Sequence, residues 1–312
     1  MMPSLFIDGA AGTTGLEIAE RMAGRDEFRL ITLSDADRKS VSARAAAIQD
    51  ADFVILCLPD AASREAVALG EGAPTRFIDA SSAHRVADGW TYGFAELRLG
   101  QRAAIRDARA VSNPGCYPTG FLALVAPLVA EALLPADHGF IVNAVSGYSG
   151  GGKELIARMQ VDAPDIGFRA YGLNLEHKHL PEMQVHAGLS RSPLFAPAVV
   201  RAFRGMLVDV PLFLDPELGF ADATALHEAL ADHYAGEALV SVAAMGTAPG
   251  ELLLSEGDAP TDRLALYVLP SADGSQVRLI AMLDNLGKGA SGAAVQNLNI
   301  MAGLDELAGL RA

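Results

Sequence analysis

The sequence predicts an α/β protein: a doubly wound parallel sheet followed by a second, mixed α+β domain. Three observations carry this. Strand and helix signals alternate through the first eighty or so residues; a glycine-rich turn follows the first strand at once; and beyond about residue 116 the strands lengthen while the helices between them thin out.

Residues 4–7 are apolar and run straight into glycines, giving a first strand. Residues 14–23 have helical composition, and 29–33 form a second apolar run. Residues 52–58 (D-F-V-I-L-C-L) are nearly continuous hydrophobe ending at Pro59, the pattern of a parallel strand buried on both faces. Residues 76–80 give another short strand. Further on, 119–134 reads as a helix interrupted by Pro127, and 139–145 and 199–213 read as strands. Residues 223–234 place Leu226, Leu230 and Tyr234 on one helical face. Residues 276–283 read as a strand and 290–310 as a final helix rich in Ala and Gly.

Composition narrows the function. The chain has 312 residues, 24 Lys plus Arg against 38 Asp plus Glu, and a formal charge of −14. Nucleic-acid binding demands clustered Lys and Arg, so it is not expected. An anionic small substrate remains possible chemistry, because a few local cations and backbone amides suffice to bind one. Cys57 and Cys116 cannot build a disulfide framework. The start lacks a basic segment leading into a long apolar one, and the longest apolar run, 121–130, is about half a membrane span. The expectation is a cytoplasmic protein with reduced thiols and no membrane partner.

Gly9, Gly12 and Gly15 fall in G-A-A-G-T-T-G, with Thr13 and Thr14 between the last two. Directly after a strand and opening a helix, such a turn lets backbone N–H groups approach a pyrophosphate, to which the helix N-terminus adds partial positive charge. The second strand ends in L-S-D-A-D-R-K. Ser34 with Arg38 and Lys39 nearby suits the 2′-phosphate of NADP, whereas Asp35 and Asp37 argue for NAD; the reading is NADP (NADPH).

Cys116 sits in S-N-P-G-C-Y-P-T-G, where two prolines and two glycines specify the backbone and a helix begins just afterwards. A thiol at a helix N-terminus has its thiolate favoured, which describes a nucleophile, although a small packed residue in a turn is equally compatible with the spacing. Cys57, inside an apolar strand, is expected to be inert. Residues 176–183 read E-H-K-H-L-P-E-M. On a strand His177 and His179 would share a face, and Glu182 could orient an imidazole. The helical H-E-x-x-H spacing is absent, so no metal is expected. Ser146, Gly147, Ser149 and Gly150 read as a small-residue loop able to bind anions through backbone amides.

Taken in order, these segments resemble the N-acetyl-gamma-glutamyl-phosphate reductase family of arginine biosynthesis, specifically its shorter second type. The resemblance spans essentially the whole chain. It rests on G-A-A-G-T-T-G, D-A-S-S-A-H-R at 79–85, S-N-P-G-C-Y-P-T-G, S-G-Y-S-G-G-G-K at 146–153, and E-H-K-H-L-P-E-M. It continues in F-R-G-M-L-V-D-V-P at 203–211 and D-N-L-G-K-G-A-S-G-A-A-V-Q-N-L-N at 284–299. It implies a Rossmann-like first domain, a second domain of the semialdehyde-dehydrogenase type and a phosphorylating, NADP-dependent dehydrogenase acting on an acyl phosphate. The implied catalytic residues are Cys116, forming a thioester, and His179 as acid/base, since H-x-P-E matches there and not at His177. Arg85 matches a substrate-binding arginine, and Glu182 joins the expected substrate residues. Asn285, Lys288 and Gly289 resemble a nicotinamide-side contact. The implied domains are 1–115, 116–284 and a C-terminal helix, 285–312, returning to the first, in a homodimer or homotetramer. Rival readings are an aspartate-semialdehyde dehydrogenase, an aminoadipyl-phosphate reductase, and a non-catalytic dinucleotide-binding protein.

Overall fold

A computed structural model of the chain describes residues 2–312 and resolves into two compact units. The first unit takes in the chain up to Ala95, Leu99–Gly115 and Ala290–Leu310; the second takes in Glu96–Arg98, Cys116–Gly289 and the last two residues.

The first unit opens with β1 (Ser4–Asp8), α1 (Thr13–Met22), β2 (Arg29–Ile31), α2 (Val41–Asp50), β3 (Phe53–Leu56) and α3 (Asp60–Leu69). It continues with β4 (Arg76–Asp79), β5 (Thr91–Tyr92), α4 (Gln101–Asp107) and β6 (Ala110–Ser112). The sheet order is β2-β1-β3-β4-β6-β5 with every pairing parallel. The chain leaves β1 toward β2 on one side and returns to β3 on the other, so β1 and β3 flank a topological switch point, where open α/β sheets bind ligands.

Period-two alternation explains why these strands read as unbroken hydrophobe. Leu5, Phe53, Ile55 and Ile78 face a cluster with Ile18, Met22 and Ile105, while Phe6, Val54, Leu56 and Phe77 face one with Ala47, Ile48 and Ala66.

The second unit begins with α5 (Cys116–Ala130) and β7 (Ile141–Gly147). There follow α6 (Gly152–Ala157), β8 (Phe168–Ala170), α7 (Leu180–His186), β9 (Leu194–Val200), β10 (Met206–Phe213) and α8 (Ala223–His233). It closes with β11 (Val240–Val242), β12 (Leu264–Pro270) and β13 (Gln276–Leu283). Its seven-stranded mixed sheet runs β11-β12-β13-β10-β7-β9-β8. A final helix, α9 (Gly292–Ala302), belongs to the first unit, where it packs on α1 and α4.

The fold class agrees with the sequence reading; several elements differ in detail. The stretch 199–213 is two strands, β9 and β10, separated at R-A-F-R-G, where Gly205 adopts a φ of +100°. The final helix is half the expected 290–310, ending at Gly303. Pro127 does not interrupt its helix, which begins three residues earlier than expected and runs through to Ala130. A proline orphans the carbonyl four residues back. Here that is Ala123, and the hydroxyl of Tyr234 donates to it at 2.9 Å. Burial, with help from Glu96 and Glu237, pushes the Tyr234 hydroxyl well above its ordinary pKa, so it stays a donor.

Candidate functional site

In the first unit the glycine turn leaves the carboxyl end of β1 at the switch point. Gly9 has a φ of +88°, and a Cβ there would lie 2.3 Å from the Cys57 carbonyl oxygen, so only glycine allows β1 to turn against the neighbouring strand. A Cβ on Gly15 would meet the Gly9 oxygen at 2.4 Å, which fixes the close seat of α1 on the turn. Gly12 differs: its nearest neighbour would be a full 3.4 Å away, so internal packing does not demand a glycine there. Close approach of a ligand to the backbone does demand one. The Thr13 hydroxyl oxygen, at the first position of α1, is buried with no hydrogen-bond partner among the described residues. That orphaned group and the unfilled first amides of a ten-residue helix suit the pyrophosphate of a dinucleotide.

A cavity of about 330 Å³ adjoins the turn, lined by Asp8, Gly9, Ala10, Leu33, Arg38 and Arg44 among others. Arg38 lies at its edge, half-exposed and 3.1 Å from Asp35, and the Ser34 hydroxyl is taken by Asp37 at 2.7 Å. Cys57, whose carbonyl faces Gly9, is held as a thiol; burial, reinforced by Asp79 and Asp8, pushes it up to about 12. It is protonated and inert at neutral pH.

Arg85 is buried, with Nε on the Asn113 carbonyl at 3.0 Å and Nη2 on that of Ala80 at 3.2 Å. Its loop is braced by His84, whose Nδ1 lies 2.6 Å from Asp79 and whose ring stacks on Trp90 at 4.1 Å. Ser81 donates to the same carboxylate.

In the second unit Cys116 is the first residue of a fifteen-residue helix, of which twelve residues are buried. Gly289 presses on it: a Cβ there would sit 2.8 Å from the Cys116 Cβ and 3.2 Å from its Cα. Next along α5, the Tyr117 hydroxyl donates to the Ala198 carbonyl and accepts from Tyr171 at 3.2 Å. Burial, and after it the neighbouring Cys116, push Tyr171 up to about 12 against the lowering effect of its Tyr117 bond. Tyr117 is driven higher by burial, Tyr171 and Cys116, so neither phenol ionises at neutral pH.

The histidines do not lie on a strand, the setting in which they would share a face. They flank the start of α7, where the His179 amide donates to His177 Nδ1 at 3.2 Å and the rings are 4.6 Å apart, edge to face. This turn carries the His179 ring, 6% exposed, to 5.9 Å from the Tyr117 ring, one residue beyond the thiol. Glu182, in the first turn of α7, is fully buried.

Ser146 and Gly147 end strand β7 instead of forming a loop, and Ser149 and Gly150 lie in a tight turn after it. The amides of Gly147, Tyr148 and Ser149 donate to Gly205, Ala202 and Phe203, so these three are already spent. Side chains offer more. The Asn285 amide nitrogen donates to the Ser149 hydroxyl at 2.9 Å, and Asn285 Oδ1 is a buried acceptor with no partner among the described residues. Lys288 is turned inward, its ammonium on both oxygens of Glu96 at 2.7 and 2.8 Å. Sequence reasoning missed Glu96, Tyr171 and the Asp8–Arg44 pair, whose partners lie far apart along the chain. Only Tyr117, beside the thiol, carried a local signal.

Among the described residues no group of three or more His, Cys, Asp or Glu is placed to hold a metal ion, and no helix is long and apolar enough to cross a membrane.

Comparison with known proteins supplies the remaining findings. Residues 5–108 match a family model described as "Semialdehyde dehydrogenase, NAD binding domain", and residues 116–285 one described as "Semialdehyde dehydrogenase, dimerisation domain". A Brucella ovis protein named N-acetyl-gamma-glutamyl-phosphate reductase is 51% identical over 310 residues, covering 97% of this chain and all of the relative. Aspartate semialdehyde dehydrogenase II from Vibrio cholerae superposes with a TM-score of 0.72 over 96% of this chain and 98% of its own, at 17% identity. An aspartate semialdehyde dehydrogenase from Candida albicans, solved with NADP, gives 0.65 at 11% identity over 96% and 99%. At those identities the solved structures establish the shared fold alone.

Proposed function

The chain belongs to the semialdehyde dehydrogenase family, and from that premise we propose that it reduces N-acetyl-gamma-glutamyl phosphate to N-acetylglutamate 5-semialdehyde, with NADPH consumed and phosphate released. The reductase name of relatives sharing half of all residues over nearly the whole chain favours this substrate over aspartyl phosphate, whose enzymes share only the fold. The observation that carries the mechanism is the setting of Cys116, at the start of a long buried helix with His179 in the adjoining aromatic cluster.

The helix N-terminus favours the Cys116 thiolate. Its sulfur attacks the acyl carbonyl carbon, the C–O bond to phosphate breaks, and a thioester forms on Cys116. A nicotinamide cofactor, when bound, would supply the hydride that reduces that carbon. His179 gives a proton to the resulting hemithioacetal oxygen and takes it back as the C–S bond breaks, which frees the aldehyde and restores the thiolate. Tyr117 and Tyr171, held un-ionised in part by Cys116 itself, stay neutral phenols that do not compete for its role as the anion.

Gly9, Gly12, Thr13, Thr14 and Gly15 would hold the nicotinamide dinucleotide. Arg38, at the cavity edge and half-exposed, would hold the 2′-phosphate of NADP. In the second unit the buried Asn285 Oδ1 would offer an acceptor to a carboxamide. In the first unit Arg85, whose guanidinium rests on neutral carbonyls and so keeps its charge, is a proposed substrate contact; in the second unit the Ser146 and Ser149 hydroxyls are, and the description of the second family model supports a homo-oligomer.

The reverse reaction tests the reading. N-acetylglutamate semialdehyde, NADP and phosphate should give NADPH absorbance with strict phosphate dependence. A signal with aspartate semialdehyde or the aminoadipyl homologue in its place would reassign the substrate. Silence with all three alongside tight NADPH binding would leave a non-catalytic binding protein.

A further inference from the structure

The dinucleotide cavity contains a buried carboxylate that the chemistry gives no reason to want. Asp8 ends β1, immediately before Gly9, and is 4% exposed. A phosphate-binding turn with an unbalanced anion at its root would repel its own ligand. Arg44, from α2, meets Asp8 fork to fork: Nε at 3.0 Å and Nη2 at 2.8 Å from Oδ2, with Nε also 3.3 Å from Oδ1. The remaining terminal nitrogen, Nη1, lies 3.9 Å from the half-exposed Glu65. Both Asp8 and Arg44 line the cavity.

Two arginines thus face one cavity in different states. Arg38 is half-exposed and held by a single surface pair. Arg44 is buried, and its fork is committed to Asp8. Geometry of that kind suits a fixed counter-charge and not a ligand-gripping side chain.

Resting on the dinucleotide reading above, we propose that Arg44 is a positioning residue of the cofactor site: it cancels the Asp8 charge and pins the end of β1, so that the pyrophosphate can approach the Gly9–Gly15 turn. The pyrophosphate is common to NADPH and NADH. Loss of Arg44 therefore weakens both cofactors by the same factor, whereas loss of Arg38 weakens NADPH alone.

The test is the dissociation constant of each cofactor, by calorimetry, for wild type, Arg44→Met, Asp8→Asn, the double variant and Arg38→Met. Arg44→Met should weaken both cofactors equally, by on the order of tenfold to a hundredfold, the scale of one uncompensated charge a few ångströms from an anion. Asp8→Asn in the Arg44→Met background should return both to within about threefold of wild type, since the charge left behind is gone. A loss confined to NADPH would make Arg44 a direct 2′-phosphate ligand and overturn the proposal, as would a double variant no better than Arg44→Met. Should Arg44→Met fail to fold, Asp8→Asn decides: binding as tight as wild type or tighter is expected, and a tenfold loss at unchanged Tm contradicts it. Wild type binding neither cofactor would remove the dinucleotide reading itself, and the proposal with it.

Discussion

Replacing Gly289 by alanine probes the seat of the nucleophile without touching the nucleophile. The added Cβ would lie 2.8 Å from the Cys116 Cβ, 3.2 Å from its Cα and 3.2 Å from the Asp284 carbonyl oxygen. Carbon–carbon contacts settle near about 3.5 Å or more, so something must move by roughly 0.7 Å. Two of the three atoms are backbone, and none can rotate aside. Overpacking of this kind costs about 1–3 kcal/mol. A displaced reacting atom costs about a hundredfold in rate for 1 Å, so a tenfold or greater fall in kcat is expected. The assay pairs urea unfolding with turnover and with the alkylation rate of Cys116 by iodoacetamide, Cys57 serving as the unreactive internal reference. Unchanged stability and alkylation, with dinucleotide affinity alone reduced, would refute the packing argument and make Gly289 a cofactor contact instead.

Other perturbations separate binding from architecture. Gly12→Ala should leave Tm near wild type and abolish dinucleotide binding measured by calorimetry, whereas Gly15→Ala, with its Cβ 2.4 Å from the Gly9 oxygen, should lower Tm outright. Lys288→Met strands the buried Glu96 carboxylate and should cost about 3–5 kcal/mol in chemical unfolding, with Glu96→Gln restoring part of it in the double variant. His138 packs between Phe140 and Phe220 at 4.9 Å from each, and burial, then Arg191, lowers its pKa in the folded chain. The unfolded state therefore takes up the proton first as pH falls below about 6.5, and stability drops until the folded pKa is passed. Urea unfolding at several pH values should show that slope, reduced in His138→Gln.

Much of this molecule is legible in its sequence because local signals and tertiary outcome agree. The run D-F-V-I-L-C-L announces a strand covered on both faces, and G-A-A-G-T-T-G after a strand announces the turn that the Gly9 φ then requires. The Cys116 loop and the start of its helix are local as well. What escapes is whatever a distant residue supplies. Pro127 argues for a broken helix, and the hydroxyl of Tyr234, more than a hundred residues on, satisfies the carbonyl that the proline orphans. The 199–213 run is apolar enough for one strand, and periodicity alone does not find the turn inside it. S-G-Y-S-G-G looks like an anion-binding loop, and nothing local shows that three of its amides donate to Gly205, Ala202 and Phe203. Lys288 reads as a cation near a ligand, and Glu96 turns it into an internal tie.

The central claim is a covalent route through Cys116. Supplying N-acetylglutamate semialdehyde and NADP without phosphate stops that route at the thioester. The account predicts a burst of NADPH equal to the number of active sites and an N-acetylglutamyl mass increment on the peptide bearing Cys116, cleared by adding phosphate. Cys57 should carry none, and Cys116→Ser should show neither burst nor adduct while still binding NADPH. Phosphate-dependent turnover persisting in Cys116→Ser, with no acyl adduct on the wild-type chain, would contradict it.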